Sequence, residues 1–237
     1  MLIPYRDINP TVRPPIVTVT LISANILVYV GIWVASGFSA RNYNAYVYFM
    51  GLVPSRLLSL DILSVGGPVP VALTPITAMF MHGSILHLAG NMLYLWIFGN
   101  NVEDYMGHFK FLIFYLLTGL AASFAHILLS LGSDVPMIGA SGAVAGVLGA
   151  YFVLWPRARV RTILFLVIFV TIVELPALVV LGLWILIQIA EGLGSIGASS
   201  GVAWFAHIGG FFAGFGLTMI GLKSGRRRPA RKYRIVN

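Results

Sequence analysis

Residues 139–151 read GASGAVAGVLGAY: one hydroxyl, at Ser141, among glycines, alanines and aliphatic side chains, with no charge. Gly142 and Gly146 stand four apart, and Ser141, Ala145 and Gly149 continue the same spacing. Small residues at this interval let helix backbones nearly touch in lipid. The stretch therefore reads as a thin helix built for close packing, and Ser141 as either one more small residue or a nucleophile at membrane depth.

The rest of the chain places that helix in a membrane. Of 237 residues, 59% are hydrophobic and 9% charged, with mean hydropathy +0.93. A soluble domain carries roughly 25% charged residues, so the composition indicates a polytopic, all-α membrane protein. Crossing the hydrocarbon core takes about 20 apolar residues per helix. Six stretches meet or approach that length: 16–36, 83–101, 109–131, 139–155, 161–188 and 203–222. They divide the chain into an N-terminal segment 1–15, a six-helix membrane domain 16–222 and a basic tail 223–237. Residues 37–82 form a long connection between the first two helices, whose aromatics suit the membrane interface.

Charge sets the expected orientation. With the N-terminus inside, thirteen of the fifteen Lys and Arg residues fall on the inner side, leaving Arg41 and Arg56 outside. The positive-inside bias makes both termini cytoplasmic. The formal net charge of +8 is then matched to anionic lipid headgroups rather than nucleic acid. The chain has no cysteine, which removes thiolate chemistry and thiolate metal sites.

This topology brings polar residues from three helices to one outer depth. HGSILHLAGN (82–91) opens the second helix with His82, His87 and Asn91; Ser141 opens the fourth; His207, in AHIGGFFAG (206–214), lies near the start of the sixth. Gly210 and Gly214 give the sixth helix its own small stripe, so the fourth and sixth can meet with Ser141 near His207. His87 and Asn91, four apart, share a helix face, and with the Ser141 N–H they could hold one oxyanion. His82, five before His87, points elsewhere and reads as structural.

Other chemistries fit poorly. HGSILH lacks the spacing and the acid of a zinc protease helix, and no metal or cofactor is expected. Glu174 is the one acid expected inside a span, so a carboxylate pair is absent. Asp134 and Glu191 are the acids expected near the outer helix ends, and neither is placed to complete a triad. His126 reads as a satisfied buried histidine, His108 as interfacial, and Glu174 and Gln188 as helix–helix hydrogen-bonding groups of the fifth span.

HGSILHLAGN, GNNVEDYMG (99–107), GASG (139–142) and AHIGGFFAG together resemble the rhomboid family of intramembrane serine proteases, over about residues 16–222. The resemblance implies Ser141 as nucleophile, His207 as general base, and His87, Asn91 and the Ser141 N–H as oxyanion donors. Gly139 and Gly142 flank the serine, and Glu103 and Gly107 match the family's acid and glycine after the second helix, as bracing residues. The expected substrates are transmembrane proteins, and the expected setting is a bacterial cytoplasmic membrane with the active site toward the outer side. An inactive rhomboid-like protein that binds and escorts transmembrane helices is the alternative. Many members carry an aromatic four residues after the serine, packed on the histidine. Here that position is Ala145, with Trp204 or Phe205 as substitutes.

Overall fold

The computed structural model describes residues 2–59, 68–166, 169–195 and 203–223. The basic tail from residue 224 and part of the long connection lie outside them. The chain is mostly helical. It runs through β1 (Leu2–Asp7), α1 (Ile16–Ala35), α2 (Ala40–Met50), α3 (Pro54–Leu58), α4 (Thr74–Thr77), α5 (Ile85–Tyr94) and α6 (Asn100–Met106), a π-turn joining the last two. Then follow α7 (His108–Leu129), α8 (Ser141–Leu154), β2 (Arg159–Leu166), β3 (Phe169–Pro176), α9 (Ala177–Gly194) and α10 (Trp204–Lys223).

Among the described residues, α1, α7, α9 and α10 are each long and apolar enough to cross a bilayer. Ile85–Met106, bent by 76° from Val71–Phe80, makes with it a further candidate, and α8 is shorter, at 14 residues. Six helices are reached only by counting α8. Every residue of α8 except Ser141 and Phe152 is buried. Its sequence has no polar face because other helices surround it on all sides.

One expected span is corrected. Residues 161–188 do not form a single helix: Arg159–Leu166 and Phe169–Pro176 pair as an antiparallel hairpin, and the helix begins at Ala177. The two strands, RVRTILFL and FVTIVELP, are rich in β-branched and aromatic residues, which favour extended backbone. β1 adds to the hairpin antiparallel, with Leu2 opposite Leu164 and Asp7 opposite Val160, giving a sheet ordered β1-β2-β3. Glu174 is consequently not inside a span. It lies on β3, where its Oε1 accepts from Arg161 Nε at 3.1 Å.

The glycine stripes do what their spacing implies. A Cβ on Gly210 would collide with the carbonyl oxygen of Gly142, and one on Gly214 with that of Gly146. Thr118 and Ala122 of α7 fill the other sides of Gly146 and Gly142. Helices α8 and α10 thus pack backbone to backbone, and α7 packs its small side chains against them. Glu103, at the far end from Ser141, caps α1: its carboxylate accepts from the backbone N–H of Val17 and Thr18 (both 2.8 Å), the Thr18 hydroxyl (2.7 Å) and His108 Nδ1 (2.6 Å). An anionic acceptor at a helix N-terminus satisfies orphan donors and suits the helix dipole.

The described parts of the long connection, residues 37–59 and 68–82, are packed against the bundle. Leu52, Val53, Val71, Met79 and Met81 are buried. Leu52 bridges to Met137 in antiparallel fashion, and Ser55 donates to Asp134 at 2.6 Å. The segment leading into Ser141 is therefore held from the other side of the chain.

Candidate active site

Ser141 is the first residue of α8, and His207 lies in the first turn of α10. Their backbones are brought close by the Gly142–Gly210 contact, one residue after Ser141 and three after His207. Oγ of Ser141 lies 2.8 Å from Nε2 of His207. The serine and histidine that sequence spacing brings to one depth are thus hydrogen-bond partners.

On the other ring nitrogen, His207 Nδ1 lies 2.6 Å from Oε1 of Gln188 on α9. The expectation that Gln188 makes a helix–helix hydrogen bond holds; that its partner is His207 was not legible. Neither Asp134, which accepts from Ser55, nor the exposed Glu191 hydrogen-bonds to His207. Aromatic rings enclose the imidazole: Trp184 at 6.0 Å between centroids, tilted by 38°, and Trp204 at 6.1 Å, edge on. Ala145 is fully buried and leaves no ring there. Of the two expected substitutes, Trp204 and Phe205, Trp204 meets the imidazole edge on; Trp184, one turn before Gln188 on the same face of α9, joins it.

His87 and Asn91 stand on α5, whose first turn is capped by Ser84 Oγ accepting from the His87 N–H at 3.1 Å. Gly139 carries φ +119°, a conformation open to glycine alone at little cost. A Cβ there would lie 2.8 Å from Cε1 and Nε2 of His87. The first glycine of GASG therefore serves both a backbone turn and the seating of the His87 ring. Asn91 Nδ2 donates to His82 Nε2 at 3.0 Å, which orients the amide and leaves its second N–H for another acceptor. His82 is fully buried, and its carbonyl is held by the Tyr43 hydroxyl of α2. Its ring hydrogen-bonds to Asn91.

Ser141, His207, His87, Asn91 and Gln188 line a cavity of about 890 Å³ that also touches Tyr94, His126, Leu148 and Phe205. His126 corrects an expectation. It lines the cavity, and its buried Nδ1 has no hydrogen-bond partner among the described residues. No group of three or more metal-binding side chains occurs among the described residues.

The chain was compared with known proteins. It is 37% identical over 143 residues to Rhomboid protease GluP of Bacillus subtilis, covering 59% of this chain and 24% of that protein. It is 34% identical over 140 residues to RHOMBOID-like protein 4 of Arabidopsis thaliana, covering 57% and 30%. It is 31% identical over 130 residues to the mitochondrial presenilin-associated rhomboid-like protein of Mus musculus, covering 53% and 34%. The chain thus spans about a quarter to a third of the length of these curated relatives. The family model described as Rhomboid domain matches residues 72–224, from the connection before α4 to the end of α10. With its apolar helices, that match makes this chain a multi-pass integral membrane protein belonging to the rhomboid family.

Proposed function

We propose that this chain is an intramembrane serine endopeptidase that hydrolyses peptide bonds in or near transmembrane segments of other membrane proteins. The supporting observation is the 2.8 Å contact between Ser141 Oγ and His207 Nε2 beside a cavity of substrate size. That distance lies within the reach expected of a nucleophile and its base.

Ser141 Oγ attacks the carbonyl carbon of the scissile bond as its proton passes to His207 Nε2. The carbonyl π electrons move onto oxygen, and the oxyanion is met by His87, the free Nδ2–H of Asn91 and the Ser141 N–H. The intermediate collapses with cleavage of the C–N bond, and the leaving amine takes the proton from Nε2. The resulting ester is attacked by water, whose proton goes to Nε2. A second collapse breaks the bond to Oγ and returns that proton to it, releasing the new carboxyl end.

The carbonyls of an intact helix are hydrogen-bonded and shielded. A substrate must therefore unwind locally, and small or helix-breaking residues near the cleaved bond favour that. The Lys and Arg distribution supports cytoplasmic termini, with the dyad toward the outer leaflet and anionic headgroups against the inner charges. Cleavage of a co-reconstituted transmembrane substrate by wild type, and none by Ser141→Ala, is the expected result. Equal cleavage by both would sink the assignment, and cleavage by neither would favour a helix-binding role.

A further inference from the structure

The imidazole of His207 is contacted at both nitrogens, and the second contact has no carboxylate in it. Gln188, itself 6% exposed, offers Oε1 to Nδ1 at 2.6 Å. A carbonyl oxygen only accepts, so this bond requires the proton on Nδ1. The lone pair is then on Nε2, facing the Ser141 hydroxyl, which is the tautomer a base at that position needs. With the amide reversed, its NH2 would face Nδ1 and the ring proton would sit on Nε2, where it cannot accept from Oγ. The orientation of one side-chain amide therefore selects between a ring that can act as base and one that cannot.

That amide belongs to a stripe of α9 that faces α10. Trp184, Gln188 and Gly192 follow at four-residue intervals on one face of α9. Trp184 lies against His207 and against Phe211, at 6.2 Å between the latter centroids. At Gly192 a Cβ would come within 3.1 Å of Ile208 Cδ1 and 3.4 Å of Trp204 Cβ, so the helices approach closely there. On the other side, Leu183, Leu186 and Ile187 are exposed, uncovered by the rest of the chain. The hydrogen bond to Nδ1 lasts only while α9 is seated on α10.

We propose that Gln188 is a positioning residue. It fixes His207 as the Nδ1–H tautomer and makes the competence of the dyad conditional on α9 docking against α10. The inference rests on the protease reading. It adds a neutral orienting group where other serine hydrolases place a carboxylate.

The test uses the full chain in liposomes, with kcat and KM measured on a transmembrane substrate and tautomers read from 15N-histidine NMR. Gln188→Met, which removes the acceptor, lowers kcat by about 10- to 100-fold with little change in KM. It also converts the His207 signals from Nδ1–H to a mixture. Gln188→Glu keeps an acceptor oxygen and retains the Nδ1–H signal with most of kcat. Gly192→Leu, which wedges α9 away without touching the amide, reproduces the tautomer mixture of Gln188→Met. A wild-type tautomer pattern in Gln188→Met overturns the positioning role, and one in Gly192→Leu overturns the docking condition. Failure of the wild type to cleave counts against the protease reading, while the tautomer readout still decides the role of Gln188.

Discussion

On its α8 side, α10 presents Gly210 and Gly214 to the carbonyls of Gly142 and Gly146, backbone against backbone. On its α9 side it meets Trp184 and Gln188 through side chains, with only Gly192 allowing a close approach. His207 stands between these two seams. The first delivers the serine and has no adjustable part, because a Cβ at Gly210 or Gly214 meets a carbonyl oxygen and one at Gly142 or Gly146 meets the side chains of α7. The second delivers the amide and the ring packing, and its geometry can change by rotamer or by movement of the whole helix. The distance between Ser141 and His207 is thus set rigidly, while the orientation of the imidazole is set by a separable element.

The comparison breaks most visibly at the glycine seam. Gly214→Leu forces side-chain atoms into the Gly146 carbonyl and costs about 4 kcal/mol or more. The expected result is loss of folded protein in detergent titration; a folded, active variant would show the seam to be looser than described. The α9 seam responds differently. Trp184→Ala leaves the glycine contacts intact, so the protein stays folded while kcat falls. That fall, about threefold to tenfold, is smaller than for loss of the Gln188 acceptor because the ring only restricts the imidazole. Global unfolding of Trp184→Ala would erase the distinction between the seams.

The far end of the bundle supplies the smallest effect and a control. Asp7 Oδ2 accepts from Asn101 Nδ2 at 2.7 Å and from the Tyr151 hydroxyl at 2.8 Å. Burial pushes its carboxyl up from 3.8 to about 6, and the two hydrogen bonds offset only part of the shift. The folded state therefore holds this proton more tightly than the unfolded state. The associated stability is fully present below pH 3.8 and is lost as pH rises through about 6. Tm should decline across that interval in the wild type, and less in Asp7→Asn. Identical pH profiles would contradict the burial of this carboxyl, and the seams near His207 should be unaffected either way.

How much could be read beforehand followed the physics of each feature. Hydropathy located α1, α7 and α10 to within a few residues, because lipid-facing helices need uninterrupted apolar length. It failed at 161–176, where the two strands β2 and β3 bury or project apolar residues without helical period. The signals against a helix were there: the run of β-branched residues, Pro176, and a span of 28 residues where about 20 suffice. Ser141 and His207 were legible because each stands at a helix start beside a glycine stripe, which leaves little choice of partner. Gln188 was visible as a polar residue in a span, but its partner depends on the rotation of α9, which was misread with the helix boundary. His126 was misread because burial and cavity lining look alike in an apolar sequence.

The central claim is that Ser141 is a nucleophile activated by His207. The most direct measurement is labelling of the reconstituted protein with a fluorophosphonate probe, with the modified residue located by mass spectrometry. The account predicts covalent modification at Ser141 in the wild type and its loss in His207→Ala. An unlabelled Ser141 in folded wild type, or labelling undiminished in His207→Ala, would contradict it.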